Sequence, residues 1–197
     1  GESYGGAIAL YYAALYPDDF ELVIALAPFL ERLPDQDRWV KMQVGWHNMM
    51  IPLDPRNQDE LYDHYLRKLV YSTYPMAEPS LLENQYKLEA AYRMVKGAKN
   101  WNAIEMAKRL PSNKLHLLAA ADDEHVKIDR INLFWNHLPT SVRESFLLMQ
   151  RTRHKIPEDR PEATAAWIHQ ILLGNPALKQ GVTFSYDPAE GAARSGE

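Results

Sequence analysis

The feature that most restricts the fold stands at the first residue. Gly1-Glu2-Ser3-Tyr4-Gly5-Gly6 sets glycines two positions before and two after a serine. A helical period follows at once, with Ile8, Tyr11, Tyr12 and Leu15 recurring at i, i+3, i+4 and i+7 until Tyr16-Pro17. Glycine, serine and glycine feeding a helix read as a sharp strand-to-helix turn: the serine is held in a strained conformation, and side chains at positions 1 and 5 would collide. Gly6 would let the helix approach the sheet. A turn of this kind needs a strand before it, so the sequence is expected to start after the earlier strands of its own fold.

Leu22-Val23-Ile24-Ala25-Leu26-Ala27 follows, an unbroken apolar run closed by Pro28, which predicts a strand covered on both faces. From about Glu31 to Leu110 the pattern turns helical, rich in aromatic residues and methionine, and punctuated by Pro52, Pro55, Pro75, Pro79 and Gly97. This stretch reads as an insertion. Tyr62, Leu66, Leu69 and Val70 form one apolar stripe in it, and Leu81, Leu88, Tyr92 and Val95 a second. Strand character returns with Leu115–Ala121, which ends in Asp122-Asp123-Glu124. A helix with Ile128, Ile131, Trp135 and Leu138 inward comes next, then a third strand, Ser145–Met149.

Asp159, with Pro161 and Glu162 behind it, predicts the start of a last helix. Ala163, Ala166, Trp167 and Ile171 would line its inner face, and Gly174 and Pro176 would close it. The order of elements is that of the tail half of an alternating α/β domain. Residues 1–30 and 111–174 would form the α/β core and 31–110 the insertion. Residues 175–197 are expected to be a loose tail apart from the short Val182-Thr183-Phe184-Ser185-Tyr186, and there is no internal repeat.

A serine hydroxyl is a weak nucleophile at neutral pH, so it needs an adjacent base and donors for the oxyanion, and the base needs an anion to orient it. Asp122 and Asp123 follow the second apolar run, where loops at the carboxyl ends of parallel strands collect such groups. Asp123 is favoured because Val126, three residues on, would plug back into the core. His154 lies in a loop after the third strand with no apolar periodicity around it. His116 falls inside a strand, His64 on a helix face, His137 and His169 near helix ends, and His47 in a Gly-Trp-His turn. His125 competes with His154, but it stands too close to Asp123 in the chain to be oriented easily by it.

Absence of cysteine excludes thiol catalysis, disulfides and cysteine-ligated metals, and leaves the compartment open. Asp122, Asp123, Glu124 and His125 match no metal-ligand spacing, so no metal is expected. With 22 basic against 26 acidic residues the net charge of −4 lacks the basic field of a nucleic-acid binder. No apolar run approaches the roughly 20 residues of a membrane span.

Ser3, then Asp123, then His154 is the chain order of the α/β-hydrolase superfamily, and the segments carrying these residues resemble its motifs. Gly1–Gly6 resembles the nucleophile elbow, Leu22–Pro28 the next strand, Ala120–Val126 the acid-bearing turn, and His154–Glu162 the histidine loop. The resemblance covers about residues 1–174 except the insertion. It implies the C-terminal part of an α/β-hydrolase fold, a parallel sheet flanked by helices, with residues 31–110 as an inserted helical lid. It further implies that Ser3 attacks an ester or amide carbonyl, His154 carries the proton, Asp123 holds His154, and the Tyr4 backbone amide is one oxyanion donor.

No cofactor is implied. The family's second oxyanion donor comes from a loop after an earlier strand, which is not in this sequence, so the N-terminal half of the fold is expected upstream or as a separate chain. Ala120 and Arg153 depart from the pattern, each standing where the family often has glycine.

Within the insertion, Trp39, Met42, Trp46, Met49, Met50, Tyr62, Tyr65 and Tyr71 offer adaptable apolar surface, and Trp39, Trp46 and Met49 are the candidates for substrate contact. The reading that results is a serine hydrolase acting on a small or lipid-like carboxylic ester through an acyl-enzyme. The alternative is a serine peptidase of the aminopeptidase or carboxypeptidase sort, because Gly-Glu-Ser-Tyr-Gly also resembles serine carboxypeptidase elbows. A truncated or non-catalytic module is the alternative of another class.

Overall fold

The computed structural model describes residues 1–31, 34–77, 85–98, 101–107, 109–112 and 114–195. They form two compact units, one of Gly1–Leu30 with Asn102–Glu197 and the other of Glu31–Trp101. The second unit thus ends nine residues before the expected limit at 110, because the short helix α5 (Ala103–Ala107) belongs to the first.

The first unit is built on a sheet in the order β1 (Val23–Leu26), β2 (Leu115–Ala120), β3 (Arg143–Met149), β4 (Val182–Asp187) and β5 (Ala192–Ser195). The first four strands are parallel and β5 is antiparallel. Every residue of β2 is buried, as the unbroken apolar run requires of a central strand covered on both faces. Alternation divides the core in two. Val23, Ala25, Leu115, Leu117, Ala119 and Phe146 pack with α1 (Tyr4–Leu15) and α6 (Ile128–His137). Leu26, Leu118, Ala120, Leu147 and Met149 pack with Ile156 and with Trp167 of α8 (Pro161–Leu172).

Helix α6 buries Ile131, Trp135 and Leu138 as expected, and also Phe134. Two expectations are corrected, on α8 and at the C-terminal end, and α1 shows that its helical period does not mark its buried face. On α1 the stripe Ile8, Tyr11, Tyr12 and Leu15 is exposed, while Ala7, Leu10, Ala13 and Ala14 face the sheet. This helix is apolar nearly all round, so period alone could not choose its inner face, and the small residues permit the closer approach. On α8, Ile171 and Thr164 are buried but Ala166 is exposed. The region from 175 onward is not a loose tail: β4 pairs with β3 from Ser145↔Val182 to Met149↔Tyr186, and β5 pairs with β4. Gly181 and Gly191, both at positive φ, turn the chain into and between these strands.

The second unit packs α2 (Pro34–Met50), α3 (Gln58–Ala77) and α4 (Gln85–Gly97) around Val40, Val44, Leu61, Tyr62, Leu66, Val70, Tyr92 and Val95. Both predicted stripes contribute, and Leu88 is buried as well. Leu81 and Pro79 lie outside the described residues. Pro75 falls in the last turn of α3 rather than beyond it.

Candidate active site

Gly1–Ser3 lies alongside β1 as a parallel extension of the sheet. Leu26 N–H donates to Gly1 O and Ser3 N–H to Leu26 O, each at 2.9 Å. The chain then turns straight into α1, which leaves Ser3 at φ 50° and ψ −119°. For a residue with a side chain this conformation costs on the order of 1–3 kcal/mol. Its neighbours hold it there, Phe29 N–H closing on Ser3 O at 3.0 Å.

The glycines act less symmetrically than their spacing suggests. A Cβ at Gly1 would stand 2.4 Å from the Gly5 carbonyl oxygen, and one at Gly6 would meet Gly1 O at 3.0 Å and the Pro28 Cβ at 3.1 Å. At Gly5 a Cβ would meet nothing within 4 Å, which corrects the expected collision there. What crowds the turn is the Gly5 backbone.

The acid turn follows β2. Asp123 is buried, and its Oδ1 accepts the backbone N–H groups of His125 (2.8 Å) and Val126 (2.7 Å), so the carboxylate is fixed by its own loop. Val126 is buried beneath it. The histidine loop is joined to this turn by Asp122 N–H donating to Thr152 O at 3.0 Å. Asp159 closes the loop from the other side, accepting the Arg153 N–H at 2.9 Å and the Arg153 guanidinium at 3.2 and 3.3 Å. Asp159 therefore does not cap α8, whose first turn follows Arg160, and Arg153 is accommodated where glycine was the family's frequent residue.

These loops bring Ser3, Asp123 and His154 together. His154 Nδ1 lies 2.8 Å from Asp123 Oδ2 and its Nε2 lies 2.7 Å from Ser3 Oγ, across 31 and 151 residues of chain. A carboxylate can only accept, so Nδ1 carries the proton, and Nε2 is left as the acceptor for the serine O–H. Desolvation pushes the Asp123 carboxyl up, but the His154 ring N–H and the Val126 and His125 amides outweigh it and hold the group below the usual carboxylate range. Tyr4 opens α1, so its amide is among the helix N–H groups with no intrahelical acceptor.

Glu2 was not singled out by its sequence position. One of its carboxylate oxygens is buried without a hydrogen-bond partner among the described residues, and burial pushes its pKa up against the opposing pull of His154. Glu124 and His125 also touch His154: Glu124 Oε2 accepts its backbone N–H at 3.3 Å, and the His125 ring stands 4.8 Å from the His154 ring. Nothing in the pattern Asp-Asp-Glu-His distinguishes them from a solvated turn.

The lid candidates belong to the second unit, where Trp39 packs partly against the core and Trp46 and Met49 are exposed on α2. His47 is not in a turn. It is buried within α2, between the Tyr65 hydroxyl at 3.0 Å and Asp54 at 2.9 Å. Among the described residues no helix is long and apolar enough to cross a membrane, and no group of three or more His, Asp or Glu residues is placed to hold a metal ion.

Comparison with solved structures places this architecture among the α/β-hydrolases. MGS-M2, an α/β-hydrolase enzyme from a Medee basin deep-sea metagenome library, superposes with a TM-score of 0.57 at 16% identity, over 89% of this chain and 64% of its own. A hydrolase from Pseudomonas aeruginosa PA01 gives 0.53 at 13% identity, over 87% of this chain and 63% of its own. This chain therefore spans less than two thirds of each, and the fold it shares with them is the C-terminal part of an α/β-hydrolase with its parallel sheet and flanking helices. No match to a curated protein reaches significance. The family model for serine aminopeptidase, S33, matches residues 1–161, a stretch that holds the elbow, the acid turn and the histidine loop, and the chain belongs to that family of α/β-hydrolases.

Proposed function

We propose that this chain carries the nucleophile, acid and base of a serine hydrolase that cleaves a carboxylic ester, with a small or lipid-like acyl group, through an acyl-enzyme. The observation that carries the reading is the His154 imidazole bridging Ser3 Oγ and Asp123 Oδ2 at 2.7 and 2.8 Å. Ser3 Oγ attacks the ester carbonyl as its proton passes to His154 Nε2. Asp123 stabilises the imidazolium without taking its proton. The Tyr4 amide faces the developing oxyanion. His154 then protonates the leaving alcohol, and water attacks the acyl-enzyme by the same steps in reverse.

The family's description favours a second reading, in which the scissile bond is the amide after an N-terminal residue. A panel of p-nitrophenyl esters against aminoacyl p-nitroanilides separates the two. Ser3→Ala in the full-length protein is expected to abolish p-nitrophenyl ester turnover and labelling by a fluorophosphonate probe. Undiminished labelling of the alanine variant would rule the assignment out.

A further inference from the structure

We propose that Glu124 and His125 form a positioning pair that sets the pH range over which His154 works as a base. The proposal rests on the triad reading above. Glu124 spans two partners: Oε2 accepts the His154 main-chain N–H at 3.3 Å, and Oε1 lies 3.7 Å from His125 Nε2. The His125 ring stands nearly perpendicular to the His154 ring, at 76° and 4.8 Å between centroids. The His125 backbone N–H meanwhile holds Asp123 Oδ1 at 2.8 Å, so the residue is locked to the acid while its ring faces the base. Both side chains are about half exposed, at 53% for Glu124 and 48% for His125, and neither contributes to the core.

The electrostatics run in opposite directions. His154 becomes a cation during acylation. A protonated His125 beside it disfavours that charge, and the Glu124 carboxylate favours it. The other charged groups around His154 are Asp123, which accepts from its Nδ1, Glu2 on the elbow, Lys155 next in the chain and Glu158 on the short helix α7 (Ile156–Asp159). Arg153 is engaged by Asp159, and Lys127 Nζ reaches the Asp123 carbonyl at 3.4 Å. Of this set Glu124 and His125 contact His154 from the acid turn, and Glu2 faces it from the elbow and is unchanged in both variants below.

The test is the acid limb of kcat/KM for p-nitrophenyl acetate in wild type, Glu124→Gln and His125→Phe. Gln keeps an acceptor for the His154 N–H and loses the charge, while Phe keeps the ring and loses the proton. The limb is expected to move to lower pH in Glu124→Gln and to higher pH in His125→Phe, each by about half a unit or more. Fluorophosphonate labelling at pH 8 reports that both variants fold. A residue with only a packing role would lower kcat without moving the limb, so limbs that coincide with wild type, or that move in the same direction, overturn the pair. Ser3→Ala run alongside keeps the two failures apart: if it retains turnover the triad itself falls, and if it is dead while the limbs stay put only the pair does.

Discussion

Two histidines in this chain each join a hydroxyl to a carboxylate, and comparison of the two shows how the surroundings of the relay proposed to be catalytic differ from those of a structural one. In the first unit His154 gives its Nδ1 proton to Asp123 and accepts from Ser3 at Nε2. In the second, His47 gives its Nε2 proton to Asp54 and accepts from Tyr65 at Nδ1. Distances and burial are similar. The surroundings differ.

Asp54 is already matched by Arg56, whose side chain and backbone N–H hold the carboxyl well below its usual range, whereas among the described residues the Asp123 carboxylate is met by two backbone amides and the His154 ring, with Lys127 reaching only its main-chain carbonyl. Tyr65 sits on a regular helix, whereas Ser3 is forced to positive φ at the head of one. A relay saturated by a permanent cation ties a loop down. One that lacks a cation can stabilise a charge formed during a reaction.

The largest expected effect comes from removing each ring in turn. His154→Ala should lower kcat/KM for a short ester by about 10⁴ or more, and should cost stability as well because buried Asp123 loses its ring partner. His47→Ala should leave that rate within a few-fold but lower stability by about 1–3 kcal/mol, because Tyr65 and Asp54 lose a buried partner. Kinetics and thermal denaturation of both variants check this, and equal rate losses would erase the distinction.

A smaller effect probes the strained turn that Tyr65 lacks. Gly6→Ala should cost about 1–3 kcal/mol and much of the activity, since its Cβ meets Gly1 O and Pro28. Gly5→Ala should be tolerated and add up to about 1 kcal/mol of helix stability. Urea unfolding of the two variants ranks them, and the reverse ranking would show that the elbow is not packed as described.

The smallest effect concerns His116, a buried histidine hydrogen-bonded to a hydroxyl rather than a carboxylate among the described residues, its Nδ1 2.8 Å from Ser145 Oγ. Desolvation, aided by Lys179, lowers its pKa from 6.5 to about 4. Between those values the unfolded chain binds the extra proton, so this contribution to stability is complete above pH 6.5 and is lost as pH falls towards 4. The thermal midpoint should drop through that window and drop less in His116→Gln. Asp54, held low by Arg56, should keep its contribution through the same window and lose it only in stronger acid.

Much of this was legible along the chain. The runs at 22–27, 115–121 and 145–149 became strands within two residues of their expected ends, because continuous apolar stretches of that length have few other ways to bury both faces. Ser3, Asp123 and His154 stood out because each lies in a loop beside an element end, where no packing role competes for it. Other features were hidden. The inner face of α1 could not be read from its period because its apolar residues encircle it. The strand pairing of 182–195 was missed because a glycine- and charge-rich segment can be held by main-chain bonds to a strand already in place. His47 was misplaced because a glycine before it looked like a turn, yet Gly45 lies within α2 where an added Cβ would meet nothing within 4 Å, so the position does not require glycine.

By itself the amino-acid sequence determined the three apolar strands and the main helices in their order, the loops that carry Ser3, Asp123 and His154, and the exclusion of thiol chemistry, since periodicity, turn residues and composition act over a few positions at a time. Only the tertiary structure decided that Gly1 and Gly6 rather than Gly5 make the elbow possible, that Glu124 and His125 flank the base, and that Arg56 separates one histidine relay from the other. Those outcomes depend on distances across the fold, and a distance between residues 31 or 151 positions apart is set by how whole elements pack, which no local pattern records.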